Sequence, residues 1–147
     1  MFFEIIVKLK LRQMRNDYIY DDGGRHHYFR MKYKKDRVGD CAIRAVAIAT
    51  GTDYQETRKQ LWEISLENGK LPNDDETTQE FIKRKNFVKK VISKGILLGD
   101  FPFNERKTFV VLVKVGYQRH LVAVDQGLVR DTWDCRDRFV MTVWMKP

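Results

Sequence analysis

A cysteine does chemistry when its surroundings favour the thiolate, because the thiolate and not the thiol is the attacking species. The chain has two cysteines, Cys41 and Cys135. Cys41 follows Gly39-Asp40 and heads the run Ala42-Ile43-Arg44-Ala45-Val46-Ala47-Ile48-Ala49-Thr50, closed by Gly51. Asp40 reads as an N-cap and Gly51 as a C-terminal stop, so Cys41 becomes the first residue of a helix. There it meets roughly half a positive charge from unpaired backbone amides. Such placement, or a protonated histidine neighbour, lowers a thiol from about 8.5 to roughly 3.5–7.5. The same amides can hold a developing oxyanion. The competing reading of Cys41 is a buried thiol that fills a core.

A nucleophile of this kind needs a base, and three histidines are present. His26 and His27 sit beside Gly23-Gly24 in an irregular stretch. A solvent-exposed or binding-loop role suits them, with a metal site shared with Asp21 and Asp22 as an alternative. His120 opens the apolar strand His120-Leu121-Val122-Ala123-Val124, directly after Gly116-Tyr117-Gln118-Arg119. If Gln126 and Gly127 form a two-residue hairpin turn, Val122 faces Asp131 and His120 faces Trp133. His120 and Asp131 are then diagonal neighbours on one face, about 7–8 Å apart along the backbone and within side-chain reach. Asp131 would orient the imidazole as the third member of a Cys-His-Asp triad. A one-residue slip would send Asp131 to the other face and make Asp134 the substitute.

These residues must be held by a fold. Residues 3 to 11 alternate apolar and polar as a half-buried strand does. Residues 12 to 39 show no sustained period, and Asp21-Asp22-Gly23-Gly24 is a turn signal. The segment headed by Cys41 is apolar almost all round except for Arg44 and Thr50, which suits a central helix. A second helix is expected over about 54–68, capped by Thr52 or Asp53 and stopped by Gly69, and a third over about 76–84. Strands follow at 87–92, 107–115, 120–124, 128–132 and 139–145. Helices first and an antiparallel sheet after them make an α+β domain.

The chain has 147 residues, of which 43% are hydrophobic, 12% aromatic and 33% charged. That length suits a single domain spanning 1–147, with residues 1 to 16 as an N-terminal strand extension. Two cysteines are too few for a disulfide framework or a thiolate zinc site. No apolar run reaches the ~18 residues of a membrane span, and the N-terminus lacks the features of a signal peptide. The expectation is a cytoplasmic protein with no membrane partner. The net charge of +8 favours acidic partners and permits weak electrostatic binding of nucleic acid, although the basic residues are dispersed. Zinc-ligand spacing, phosphate loops and dinucleotide fingerprints are absent, so neither a cofactor nor a metal is expected.

Four pieces together carry a resemblance: Tyr20-Asp21-Asp22-Gly23-Gly24-Arg25; Gly39 to Gly51 around Cys41; Arg119-His120-Leu121-Val122-Ala123-Val124; and Gly127-Leu128-Val129-Arg130-Asp131-Thr132-Trp133-Asp134. In this order they resemble a family of small uncharacterised proteins of tailed bacteriophages and prophages with a papain-like cysteine peptidase fold. The resemblance runs from about Tyr20 to Trp144. It implies Cys41 as nucleophile, His120 as base and Asp131 as orienting acid, in a thiol-dependent hydrolase or acyltransferase. It also implies a host protein or peptide as substrate, met in the host cytoplasm. One position departs from the pattern. Papain-like peptidases place a glutamine about six residues before the cysteine as an oxyanion donor, and here that position is Lys35. Lys35, Gln13 or backbone amides, with Asp40 in support, would have to serve; losing one such donor costs ~10²–10³ in rate. Two other readings follow: an inactive papain-like scaffold that binds and blocks a host protein, and a basic nucleic-acid-binding protein.

Overall fold

The helix with a single charged residue sits at the centre of the structure, a computed structural model that describes residues 14–30 and 39–147. Helix α1 (Cys41–Thr50) starts at the cysteine and ends at Gly51, and seven of its ten residues are buried. Helix α2 (Tyr54–Asn68) is capped by Asp53, whose carboxylate accepts hydrogen bonds from the amides of Gln55 and Glu56. Helix α3 (Asp75–Arg84) is capped in the same way by Asp74. All three lie within a residue or so of the spans their apolar spacing and stop signals indicate.

Six strands follow or precede them: β1 (Asp17–Tyr20), β2 (Val88–Lys90), β3 (Thr108–Val115), β4 (Gln118–Asp125), β5 (Leu128–Asp131) and β6 (Val140–Met145). They form one sheet in the order β1-β5-β4-β3-β6-β2. The β4–β5 hairpin turns on Gln126 and Gly127, both with positive φ (51° and 77°), as the tightest hairpin turns require. Its register pairs Asp125 with Leu128 and Ala123 with Arg130.

The sheet corrects one expectation: it is mixed, not antiparallel, because β1 runs parallel to β5. β1 has four residues, three of them exposed, at the edge of the sheet. A strand so short and so little buried leaves no alternation to read. What anchors it is non-local: buried Asn16 donates its side-chain N–H groups to the carbonyls of Leu98 and Phe101. The strand expected at residues 3 to 11 lies outside the described residues.

Alternation along the central strands sends side chains to two cores. On one face Val110, Leu121 and Ala123 pack against Ala42, Ile43, Ala45, Val46 and Ala49 of α1. On the other, Val111, Val122, Val124 and Val129 pack beneath Leu98, Phe101, Phe103 and Cys135. No helix among the described residues is long and apolar enough to cross a membrane.

The Asp21-Asp22-Gly23-Gly24 turn packs directly on α1. A Cβ on Gly23, at φ +69°, would lie 3.1 Å from both Cα and O of Arg44. Gly51 has a similar φ of +66° with nothing within 4 Å. Gly51→Ala therefore meets only the backbone term, whereas Gly23→Ala must also push the turn off α1. We expect Gly23→Ala to lower stability in urea unfolding by about 1–3 kcal/mol and by clearly more than Gly51→Ala; equal losses would contradict this packing.

Candidate active site

Cys41 is the first residue of α1, and its neighbour Asp40 occupies the N-cap position without capping. The Asp40 side chain makes no hydrogen bond to the helix amides. Its carboxylate is turned into the protein, where it accepts from Arg25 Nη1 (3.1 and 3.2 Å), from Tyr54 OH (2.9 Å) and from Arg44 Nη1. The sequence reading of Asp40 as a capping residue is thus corrected: two buried guanidinium groups outcompete the helix amides for the carboxylate. The consequence is chemical, because the amides of the first turn stay uncapped by Asp40 beside the sulfur.

His120 comes to the sulfur through the way β5 ends. The β4–β5 pairing stops at Ala123 opposite Arg130. Beyond it, the edge of β4 at His120 and Leu121 has no β5 partner, and Cys41 meets that edge. The His120 imidazole and the backbone amide of Leu121 both act on the thiol and favour its charged form. The Nε2 atom of His120 lies 2.5 Å from Oδ2 of Asp131. That bond leaves Nδ1 as the ring nitrogen for the thiol. Trp133 packs on the imidazole with ring centroids 5.1 Å apart.

The electrostatics follow from these contacts. Burial pushes the Cys41 thiol up, but the hydrogen bond and charge of His120, the Leu121 amide and the charge of Arg44 outweigh it and bring the thiol below its ordinary value. Burial pulls the His120 imidazole down, yet its bonds to Asp131 and Cys41 prevail and push it up to about 9. The pair therefore titrates as a unit and favours thiolate and imidazolium together.

Arg44, one turn into α1, ties the two halves of the site. It is 7% exposed. One nitrogen of its guanidinium meets Asp40 and another donates to Asp131 Oδ1 at 3.3 Å. Asp131 is further fixed by the Thr132 amide at 2.7 Å and by the Cys135 thiol at 3.6 Å. Arg25 and Arg44 balance Asp40 and Asp131, so the buried network carries no net charge of its own.

A cleft of about 630 Å³ opens over Cys41, lined by Asp40, Ala42 and Ile43 of the helix start and by Leu112 and Leu121 of the sheet. Helix α2 closes one side with Tyr54, Arg58 and Trp62. Cys41 and the first-turn residues Ala42 and Ile43 thus line a space that can admit a substrate.

The structure brings Cys41, His120 and Asp131 together and leaves Asp134 out. The Asp134 carboxylate is taken by Arg136, at 2.9 Å to Nε and 2.8 Å to Nη2. The turn register holds, so no substitute acid is needed. Lys35 and Gln13 lie outside the described residues. The histidine–glycine segment does not converge on a metal: Asp22 holds His26 at 2.8 Å and caps the short turn Arg25–His27, while Asp21 binds the Gly23 amide and Arg130. Among the described residues, the donors close enough to share an ion are His120, Asp131 and Cys135. There the Arg44 cation already occupies Asp131, so a second cation is disfavoured and the set is better read as part of the triad's support. Sequence reasoning missed Arg25, Arg44 and Tyr54 as the framework of the site. A signal existed for Arg44, since a lone arginine in an apolar helix demands a buried carboxylate. Comparison with protein-family models, with curated proteins and with solved structures finds no match for the chain.

Two predictions follow from the network. Arg44→Met removes the one guanidinium that two buried carboxylates share and should cost about 3–5 kcal/mol in urea or thermal unfolding; a loss under ~1 kcal/mol would show that the ion network does not hold the site. Asp131→Asn should remove the partner that keeps His120 protonated and slow alkylation of Cys41 near neutral pH, whereas Asp134→Asn should leave that rate unchanged. Equal effects, read by intact mass over time, would contradict the assignment.

Proposed function

We propose that this chain is a papain-like thiol-dependent hydrolase or acyltransferase whose nucleophile is Cys41, base His120 and orienting acid Asp131. The observation that supports it most is an imidazole bonded to a buried carboxylate that acts electrostatically on the thiol of a helix-starting cysteine. A nucleophile, a base and a group that orients the base are the components nucleophilic acyl chemistry needs. The substrate is a peptide or protein carrying an amide, isopeptide or ester carbonyl.

In this reading the Cys41 thiolate attacks the carbonyl carbon and forms the S–C bond. The carbonyl oxygen becomes an oxyanion near the first-turn amides of α1, which Asp40 leaves uncapped. His120 then gives its proton to the leaving amine as the C–N bond breaks, and a thioester remains on Cys41. Water, or an acceptor amine, attacks the thioester while His120 takes its proton; the acyl group leaves and the thiolate is restored. Asp131 orients the imidazole and stabilises the imidazolium. The N-terminal position of the cysteine-bearing helix and the sheet that carries histidine and acid support the papain-like assignment.

The signs of the shifts set the pH behaviour. A lowered thiol means that thiolate is present below the ordinary cysteine range. A raised imidazole means that the proton needed by the leaving group is lost only as pH passes about 9. Iodoacetamide should thus label Cys41 rapidly at neutral pH, and acyl turnover should decline above about pH 9. Cys41→Ala abolishes the label, and His120→Ala should slow it by about tenfold or more, because an unassisted thiol is only a few per cent ionised at pH 7. Labelling of the wild type no faster than free cysteine, rising only above pH 8.5 or so, would overturn the reading and leave a binding scaffold.

A further inference from the structure

The cleft over Cys41 is built asymmetrically in charge. Among the described residues four arginines line it, Arg25, Arg30, Arg58 and Arg119, against two aspartates, Asp40 and Asp75. Both aspartates are already neutralised: Asp40 by Arg25 and Arg44, Asp75 by Arg119 at 2.7 Å. Among the described residues Arg30 and Arg58 have no carboxylate partner. The guanidinium of Arg58 lies 5.6 Å over the Phe29 ring, a placement that steadies the group while leaving its N–H edge available. Among the described residues no lysine or glutamate lines the cleft.

The floor is apolar. Leu61, Leu112 and Leu121 lie at its base, and Trp62, on the turn of α2 after Arg58, keeps 46% of its surface in water. A half-exposed tryptophan beside an unpaired arginine calls for a ligand that brings both an apolar body and a negative charge. From this complementarity we infer that the acyl donor of the proposed reaction is an acidic peptide segment, with a large apolar side chain against Trp62 and Leu61 and an aspartate or glutamate carboxylate on Arg58, assisted by Arg30. The inference rests on the thiol-chemistry reading and names the substrate class of that site. A phosphodiester fits less well. The Tyr28 ring is stacked on Tyr54 and its hydroxyl is bonded to Asp53 at 2.5 Å, which commits the aromatic face and sets a carboxylate at that rim. A phosphodiester also offers Cys41 no acyl carbon.

Arg58 is thereby a specificity-determining residue. The test uses dipeptidyl acyloxymethyl ketones, in which the thiolate sulfur attacks the methylene carbon, the S–C bond forms, the C–O bond breaks and a carboxylate leaves. Phe-Glu, Phe-Gln and Phe-Lys probes, together with the reversed Glu-Phe, Gln-Phe and Lys-Phe set, are compared by the second-order rate of Cys41 modification. In at least one order the Glu probe should react about tenfold faster than its Gln counterpart, the gain of one charge-assisted hydrogen bond. That ratio should shrink as salt is raised. Arg58→Gln should bring it towards one, and Arg58→Glu should turn the preference to the Lys probe, each variant first shown to be folded by its thermal transition. Equal Glu and Gln rates in both orders, with iodoacetamide still labelling Cys41 rapidly, would overturn the inference and leave the thiol reading standing. A ratio untouched in both folded Arg58 variants would remove Arg58 from the role. Slow iodoacetamide labelling of the wild type would instead overturn the thiol reading and this inference with it.

Discussion

A guanidinium group buried in hydrocarbon persists only where carboxylates meet it, and Arg44 meets two. It projects from the central helix and joins Asp40, at the helix start, to Asp131, at the end of β5. These two carboxylates come from opposite sides of the site, one next to Cys41 and the other bonded to His120. Joining them sets the distance between α1 and the β4–β5 hairpin, and so the meeting of Cys41 with His120. The cost of desolvating such a network is large, and it is offset only when every member is paired. Arg25 and Tyr54 add to that pairing on the Asp40 side, the Nε atoms of Arg25 and Arg44 finding no partner among the described residues, and the Asp21–Gly24 turn, seated on the backbone of Arg44, delivers Arg25 to it.

The same pairing explains how the helix start stays open. An aspartate in front of a helix would ordinarily accept from the first-turn amides and stabilise the helix by about 1 kcal/mol. Here its carboxylate is drawn inward by two arginines, so it leaves the amides beside Cys41 uncapped. Stability that capping would provide at the helix end is supplied by buried ion pairs one turn deeper. The local loss and the buried pairing are one arrangement.

Much of the site was legible in the sequence because it depends on short-range rules. The helix from Cys41 to Thr50 shows in its apolar run between Asp40 and Gly51. The meeting of His120 with Asp131 follows from the two-residue turn at Gln126-Gly127, which fixes which residues share a face. What was not legible depends on partners far apart in the chain. β1 is four residues long, lies at an edge and pairs in parallel with a strand over a hundred residues later, so no periodicity announces it. Asp40 looks like a cap until Arg25 and Arg44 are placed around it. Cys135 looks idle, yet its thiol donates to Asp131, and burial with that neighbouring charge pushes the thiol well up, keeping it neutral. Each of these is a tertiary contact that local propensity cannot encode.

The account stands or falls on the protonation of one ring. The most direct measurement is a ¹⁵N NMR titration of the His120 side chain, followed in the wild type and in Cys41→Ala. The account predicts both ring nitrogens protonated at neutral pH, deprotonation only near 9, and a downward move when the sulfur is removed. A His120 that is neutral at pH 7, titrates near its ordinary 6.5 or so and ignores the loss of Cys41 would contradict it.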